Sequence, residues 1–236
     1  TTCAGFAGSY QHEEQDAMTY AEWGFDYLKY DWCSYSEIAN PDGSLEEAQK
    51  PYRVMRAALD KCERDIVYSL CQYGMNNVWE WGADVGGNLW RTTGDINDTW
   101  ESLSNIGFRQ DKSSPFAKPG QWNDPDMLVV GKTAGAWGEI HLTSLTPDEQ
   151  VIHITLWSLL AAPLLIGCDM SAMDQYTLDL LTNAEVIDVD QDPLGKAAMP
   201  IVANKETGIE VWSRPLWDGS IAVGFFNLSD KEAVVT

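Results

Sequence analysis

The sequence predicts an α/β chain. Parallel strands of a (β/α)8 barrel come first, and a short antiparallel β region follows. Three observations carry this. Apolar strand-like runs alternate with helical patterns through about residue 195, which implies right-handed βαβ units and a parallel sheet. Polar and acidic residues recur just past the ends of those runs, at Asp31, Cys71 to Tyr73, Asp95, Asp124 and Asp126. Reactive groups at the carboxyl ends of successive parallel strands mark a barrel, whereas a doubly wound sheet gathers them at a switch point. From Ile209 the pattern changes to alternating strands with turns, at Glu210–Trp212 and Ile221–Phe226. The expected division is residues 1–195 for the barrel part and 196–236 for the start of the antiparallel domain. About five parallel strands are counted.

The elements follow in order. His12 to Trp23 reads as a helix, with Ser9 as N-cap and acids in the first turn. Phe25 to Asp31 reads as a buried strand ending in a carboxylate. Asn40-Pro41-Asp42-Gly43 is a turn. Ser44 caps a helix from Leu45 to about Arg64, with Glu47 placed as in a capping box. Ile66 to Cys71 is the next strand, followed by a Trp-rich helix or loop over Val78–Val85. Trp90–Gly94 reads as a short strand and Asp98–Ile106 as a helix. Gln121–Val130 holds a strand and a Pro-broken loop. Thr146-Pro147-Asp148-Glu149 starts a helix that runs to Ala162 and stops at Pro163. Leu164–Gly167 reads as a strand and Gln175–Thr182 as a helix.

Composition narrows the function. The 236 residues carry 36 acidic and 15 basic side chains, a net charge of −21, which argues against nucleic acid and anionic membranes as partners. Nothing in the chain resembles an 18-residue apolar span. The 11 Trp and 9 Tyr suit a sugar site, although such aromatics are commonly core. Five cysteines lack zinc-site spacing, and no Gly-rich phosphate loop follows a strand, so neither a metal nor a nucleotide cofactor is expected. The histidines are scattered; His153 reads as packing or surface, and Met170 and Met173 as core.

In the strand Tyr27–Asp31, Lys29 and Asp31 share a face. The pair reads either as a self-satisfying ion pair or as a carboxylate nucleophile beside an ammonium. Glycosidic hydrolysis needs two carboxyl groups flanking the anomeric carbon. Asp95 is the second candidate, in parity with Arg91, and its competing reading is a helix N-cap before Ile96.

Four colinear segments, HEEQDAMTYAEWGFDYLKYDWC (His12 to Cys33), WRTTGDINDTW (Trp90 to Trp100), WNDPDML (Trp122 to Leu128) and DQDPLGK (Asp190 to Lys196), resemble glycoside hydrolase family 27, the α-galactosidases or melibiases with the α-N-acetylgalactosaminidases. The resemblance spans about residues 1–226. It implies a (β/α)8 barrel with an antiparallel β domain, and release of terminal α-galactose with retention of configuration. It implies Asp31 as nucleophile and Asp95 as acid/base. Lys29 and Arg91 would bind sugar hydroxyls, and Asp126 and Met127 would line the pocket, with loop bracing around Pro125 as the competing reading for Asp124 and Asp126. It also implies a Cys3–Cys33 disulfide, worth about 3–4 kcal/mol in loop entropy, and hence an exported protein. The family usually carries Cys-Glu-Trp where this chain has Cys71-Gln72-Tyr73; Tyr73 can still stack on a sugar, and the large Gln72 and Met75 favour galactose over its N-acetyl derivative. A relative acting on β-L-arabinopyranosides, α-N-acetylgalactosaminides or α-glucans, and a non-catalytic carbohydrate-binding barrel, are the alternatives. Family segments expected before the fourth strand are absent and the chain stops within the β domain, so a fragment is expected.

Overall fold

The computed structural model describes residues 1–39, 43–135, 138–204 and 206–234. The chain forms two compact units, residues 1–94 and 95–236. The boundary expected at residue 195 falls inside the second.

The first unit orders as α1 (Glu13–Glu22), β1 (Tyr27–Asp31), α2 (Tyr35–Ala39), α3 (Leu45–Leu59), β2 (Val67–Cys71) and β3 (Leu89–Arg91). The strands are parallel, β1 on β2 and β2 on β3, with Asp31 opposite Cys71 and Ser69 opposite Leu89. Parallel neighbours need a crossover, and α3 supplies it between β1 and β2. Ser44 starts α3 by accepting from the Glu47 N–H at 3.3 Å. The apolar face of α3, Tyr52, Met55 and Leu59, packs with Tyr68, Leu70 and Trp90 of the sheet into one core. Each fully buried aliphatic chain there stabilises by roughly 1.5–3 kcal/mol.

Several expectations need correction. Strand β1 is not buried on both faces: Leu28 and Tyr30 are half-buried towards the core, whereas Tyr27, Lys29 and Asp31 are exposed. Ser9 does not cap α1. His12 holds that position without a side-chain cap, because Ser9 uses its carbonyl to close a turn on the His12 N–H. Helix α3 ends at Leu59, where Lys61 and Cys62 bond back three residues and tighten the chain. Strand β3 is shorter and earlier than expected. The expected turn lies largely on residues 40–42, outside the described residues.

The second unit contains α4 (Trp100–Gly107), β4 (Trp122–Asp124), the β5–β6 ladder (Lys132–Thr133 with His141–Leu142), α5 (Pro147–Leu159), α6 (Gln175–Leu181), α7 (Ala184–Asp190) and the antiparallel sheet β7–β8–β9 (Met199–Asn204, Ile209–Pro215, Ile221–Asn227). Thr146 and Glu149 form the full capping box of α5. This helix stops before Ala162 because Ala161 is left-handed, at φ 51°. Helix α4 can lie close to α5 only through Gly107: a Cβ there would sit 2.6 Å from a Leu156 methyl. Trp157, Leu156 and Leu159 share a core with Trp212 and Phe226 of the C-terminal sheet. Leu164–Gly167 forms no regular strand; its ladder contact is a single parallel bridge, Ile166 to Leu128. Met170 is exposed, not core, because it sits on a short surface turn over Met170–Ala172. His153 is fully buried edge-on against Trp157, with ring centroids 4.2 Å apart. Its Nε2 accepts from the Val129 N–H at 3.2 Å. Burial pushes its pKa down to about 3, so it is a neutral packing residue.

Candidate active site

In the first unit the carboxyl ends of three strands line up. Asp31 ends β1, Cys71 stands opposite it on β2, and the β2–β3 register carried two residues further puts Arg91 opposite Cys71. Alternation turns Lys29, Ser69 and Leu89 to the same face. The Tyr73 hydroxyl donates to Asp31 Oδ1 at 2.6 Å, and the Cys33 N–H donates to the same oxygen at 3.3 Å. Cys33 is bonded to Cys3, with Cα atoms 5.0 Å apart. The implied disulfide is therefore present, and it ties down the residue whose amide faces the carboxylate. Because both sulfurs are in that bond, the cluster of Cys3, Cys33 and Asp31 offers no thiolate to a metal.

Lys29 and Asp31 form no direct ion pair among the described residues, which removes the self-satisfying reading of that pair. The Lys29 ammonium stands exposed on the same face. The Cys71 thiol is unbridged and fully buried; burial first, then the neighbouring Asp31 charge, pushes its pKa up to about 12, so it presents a neutral S–H. Arg91 is almost wholly buried and donates to the Thr93 carbonyl at 3.3 Å. A cavity of about 290 Å³ borders β1 and reaches Lys29, Asp31, Trp32 and Cys33.

Tyr73 reaches Asp31 through a strained turn. Its backbone is left-handed, at φ 62°, a cost of order 1–3 kcal/mol for a non-glycine residue. Gly74 follows at φ 81°, and a Cβ on it would lie 2.1 Å from the Thr92 carbonyl oxygen. Only glycine permits the turn to press against that segment.

In the second unit Asp95 precedes a stretch without regular secondary structure. Helix α4 begins at Trp100 and is capped by the Thr99 hydroxyl, which accepts from the Ser102 N–H at 3.2 Å. Asp95 is therefore not a helix cap, and its competing reading falls. Asp126 is buried and left-handed, at φ 86°. Its Oδ2 accepts from the Ile96 N–H and its Oδ1 from the Met127 N–H, each at 2.8 Å. Its own N–H donates to Asp124 Oδ1 at 2.8 Å, and its carbonyl receives the Trp157 indole N–H at 2.7 Å. Asp124 and Asp126 thus brace the loop around Pro125, and Asp126 also holds the amide immediately after Asp95. Met127 packs on the core around Trp157. Asp98 accepts from the Ser144 N–H and pairs with His141; Asp98 stays ionised below the usual carboxylate range despite its burial.

The sequence located the carboxylates, but the amides that hold their loops, those of Cys33 and Ile96, leave no side-chain signal. No helix among the described residues is long and apolar enough to cross a membrane.

Comparisons with known proteins agree with one another. The Alpha galactosidase A family profile matches residues 1–192, and the Alpha galactosidase C-terminal beta sandwich domain profile matches residues 206–236. Alpha-galactosidase 2 of Arabidopsis thaliana is 42% identical over 229 residues, covering 97% of this chain and 52% of that protein. The crystal structure of α-galactosidase I from Mortierella vinacea superposes with a TM-score of 0.87 at 30% identity, over 97% of this chain and 59% of its own. A β-L-arabinopyranosidase of glycoside hydrolase family 27 from Geobacillus stearothermophilus gives 0.81 at 30%, over 94% and 50%. The chain spans about half the length of the curated relatives it matches.

Proposed function

The chain belongs to the α-galactosidase (melibiase) family of glycoside hydrolases, and from that premise we propose that the whole protein releases terminal α-linked galactose by double displacement. The observation that carries the reading is the Asp31 corner. It is a carboxylate at a strand's carboxyl end, oriented through one oxygen by Tyr73 and the Cys33 amide, with no ion pair among the described residues to consume its charge. The Cys71 S–H and the Lys29 ammonium stand on the same face.

In this mechanism Asp31 attacks the anomeric carbon and forms a glycosyl ester while Asp95 protonates the departing oxygen. Water then attacks the same carbon, Asp95 takes its proton, and Asp31 leaves as carboxylate, with net retention. Retaining chemistry calls for a carboxyl separation of roughly 5–5.5 Å. Lys29 and Arg91 serve as hydroxyl ligands, and Cys71, Tyr73, Asp126 and Met127 as pocket wall. No metal or cofactor is required. The disulfide supports export, and a carbohydrate is the partner. Residues 1–195 and 196–236 would be the catalytic and C-terminal parts.

The test is hydrolysis of p-nitrophenyl α-galactoside by the full-length protein, with the anomer of the first product read by NMR. α-Galactose is expected first. A preference for the β-L-arabinopyranoside would move the assignment to that branch of the family, and inversion would remove Asp31 as nucleophile.

A further inference from the structure

The family resemblance gives Tyr73 a place on the pocket wall, where the ring alone would suffice. The structure gives its hydroxyl a different task. The phenol donates to Asp31 Oδ1 at 2.6 Å, within the range of a charge-assisted O–H···O⁻ bond. The Cys33 amide donates to the same oxygen. Both of these bonds fall on Oδ1, and the Cys71 thiol adds a weaker one to the carboxylate, so Oδ2 is the less engaged oxygen and the one to bond the anomeric carbon. The left-handed backbone of Tyr73 and the close seating of Gly74 against Thr92 hold the ring in this position. A residue that only lined the rim would not need a strained backbone to aim its hydroxyl at a carboxylate. The other groups facing Asp31 do not duplicate this donor: Cys71 presents a weak S–H, and Lys29 makes no hydrogen bond among the described residues.

We infer that the Tyr73 hydroxyl is a positioning group for the departure of Asp31, acting chiefly in the second half of the reaction; this rests on the function proposed above. In the glycosyl ester Oδ1 is a carbonyl oxygen and the bond from Tyr73 is an ordinary one. As water attacks and the bond from Oδ2 to the anomeric carbon breaks, the electron pair returns to the carboxylate and charge spreads onto Oδ1. The hydrogen bond then strengthens, so it stabilises that transition state more than the ester. In the first half the same charge is drained from Oδ1 and the bond weakens, so its assistance there is small.

Tyr73→Phe in the full-length protein keeps the ring and removes the donor. With p-nitrophenyl α-galactoside, whose good leaving group makes the first half fast, kcat should fall about tenfold or more, the scale of one charge-assisted hydrogen bond. The apparent KM should fall with it, leaving kcat/KM within about threefold, and a p-nitrophenol burst equal to the enzyme concentration should appear. A thermal scan of both proteins checks that the fold is kept. An unchanged kcat overturns the inference. So does a rise in KM at constant kcat, which would make Tyr73 a sugar contact, and so does a loss of kcat/KM without a burst, which would place the hydroxyl in the first half. If wild type prefers another glycoside, the proposed substrate fails on its own, and the same comparison is run with that glycoside's p-nitrophenyl derivative.

Discussion

The two carboxylates assigned to the chemistry sit in regions held together by different means. At Asp31, side-chain and covalent devices dominate: a phenol on the carboxylate, and a disulfide anchoring the residue whose amide completes the pair. Around Asp95 the devices are side chains that hold the backbone of the neighbouring loop. Asp126 receives the amides of Ile96 and Met127, and its own amide and carbonyl are taken by Asp124 and Trp157. A nucleophile must keep its charge and direction while the group attached to it changes, and a donor on its spare oxygen does that. An acid/base must gain and lose a proton, and securing the neighbouring amide fixes its place without fixing its protonation. Substitution of Asp31 itself or of its phenol donor Tyr73 should therefore alter turnover, whereas loss of the Cys3–Cys33 staple and substitutions at Asp126 should alter stability first.

The sharpest break would come from Asp31→Asn. Loss of the nucleophile should lower turnover of the aryl galactoside on the order of 10⁴-fold, about 5 kcal/mol in barrier, with an unchanged melting curve. Measurable retained activity would move the nucleophile elsewhere. Next is Cys3→Ser. Opening a loop closed over a separation of 30 residues should cost about 3–4 kcal/mol, read by urea denaturation; a stability equal to wild type would show that the disulfide only orients Cys33. Asp126→Ala should cost roughly 3 kcal/mol through two lost charge-assisted bonds. Asp126→Asn, which tolerates the left-handed backbone and keeps one acceptor, should cost about half. A large KM effect in Asp126→Asn at full stability would make Asp126 a sugar ligand and blur the contrast.

The last test reads the second region by pH. His153 titrates near 6.5 unfolded and near 3 folded, so the unfolded chain binds the extra proton between those values. Its contribution is complete above about pH 6.5 and is lost as pH falls towards 3, with a slope of at most about 1.4 kcal/mol per pH unit. His153→Gln, which keeps an acceptor for the Val129 amide, should flatten that slope in urea titrations at pH 4, 5 and 6.5. An unchanged slope would show that His153 is charged or exposed in the folded protein.

Much of this was legible in the sequence because it is local. The Thr146 capping box, the Ser44 cap and the strand ending at Asp31 each announce themselves within a few residues. The (β/α)8-type order and the antiparallel tail follow from periodicity. What escaped was either too short to set a period, as with α2, α7 and the β5–β6 ladder, or decided at a distance. No local pattern says that Asp126 meets the Ile96 amide 30 residues away, or that the Tyr73 hydroxyl meets Asp31 42 residues away. Ser9 misled because its carbonyl, not its hydroxyl, closed the turn before α1.

The shared core of α5 and the C-terminal sheet bears on how this protein can be cut. Family profiles divide the chain between residues 192 and 206, yet Trp212 and Phe226 are packed with Trp157 and Leu159. Arg214 also donates to the Ser158 carbonyl, and the Ala198 amide to that of Leu159. A segment inherited as a separate piece need not melt as one. Deleting the tail would expose one side of α5, so the helix and the sheet should unfold in a single cooperative transition, and a chain cut at the profile boundary would carry an open hydrophobic wound.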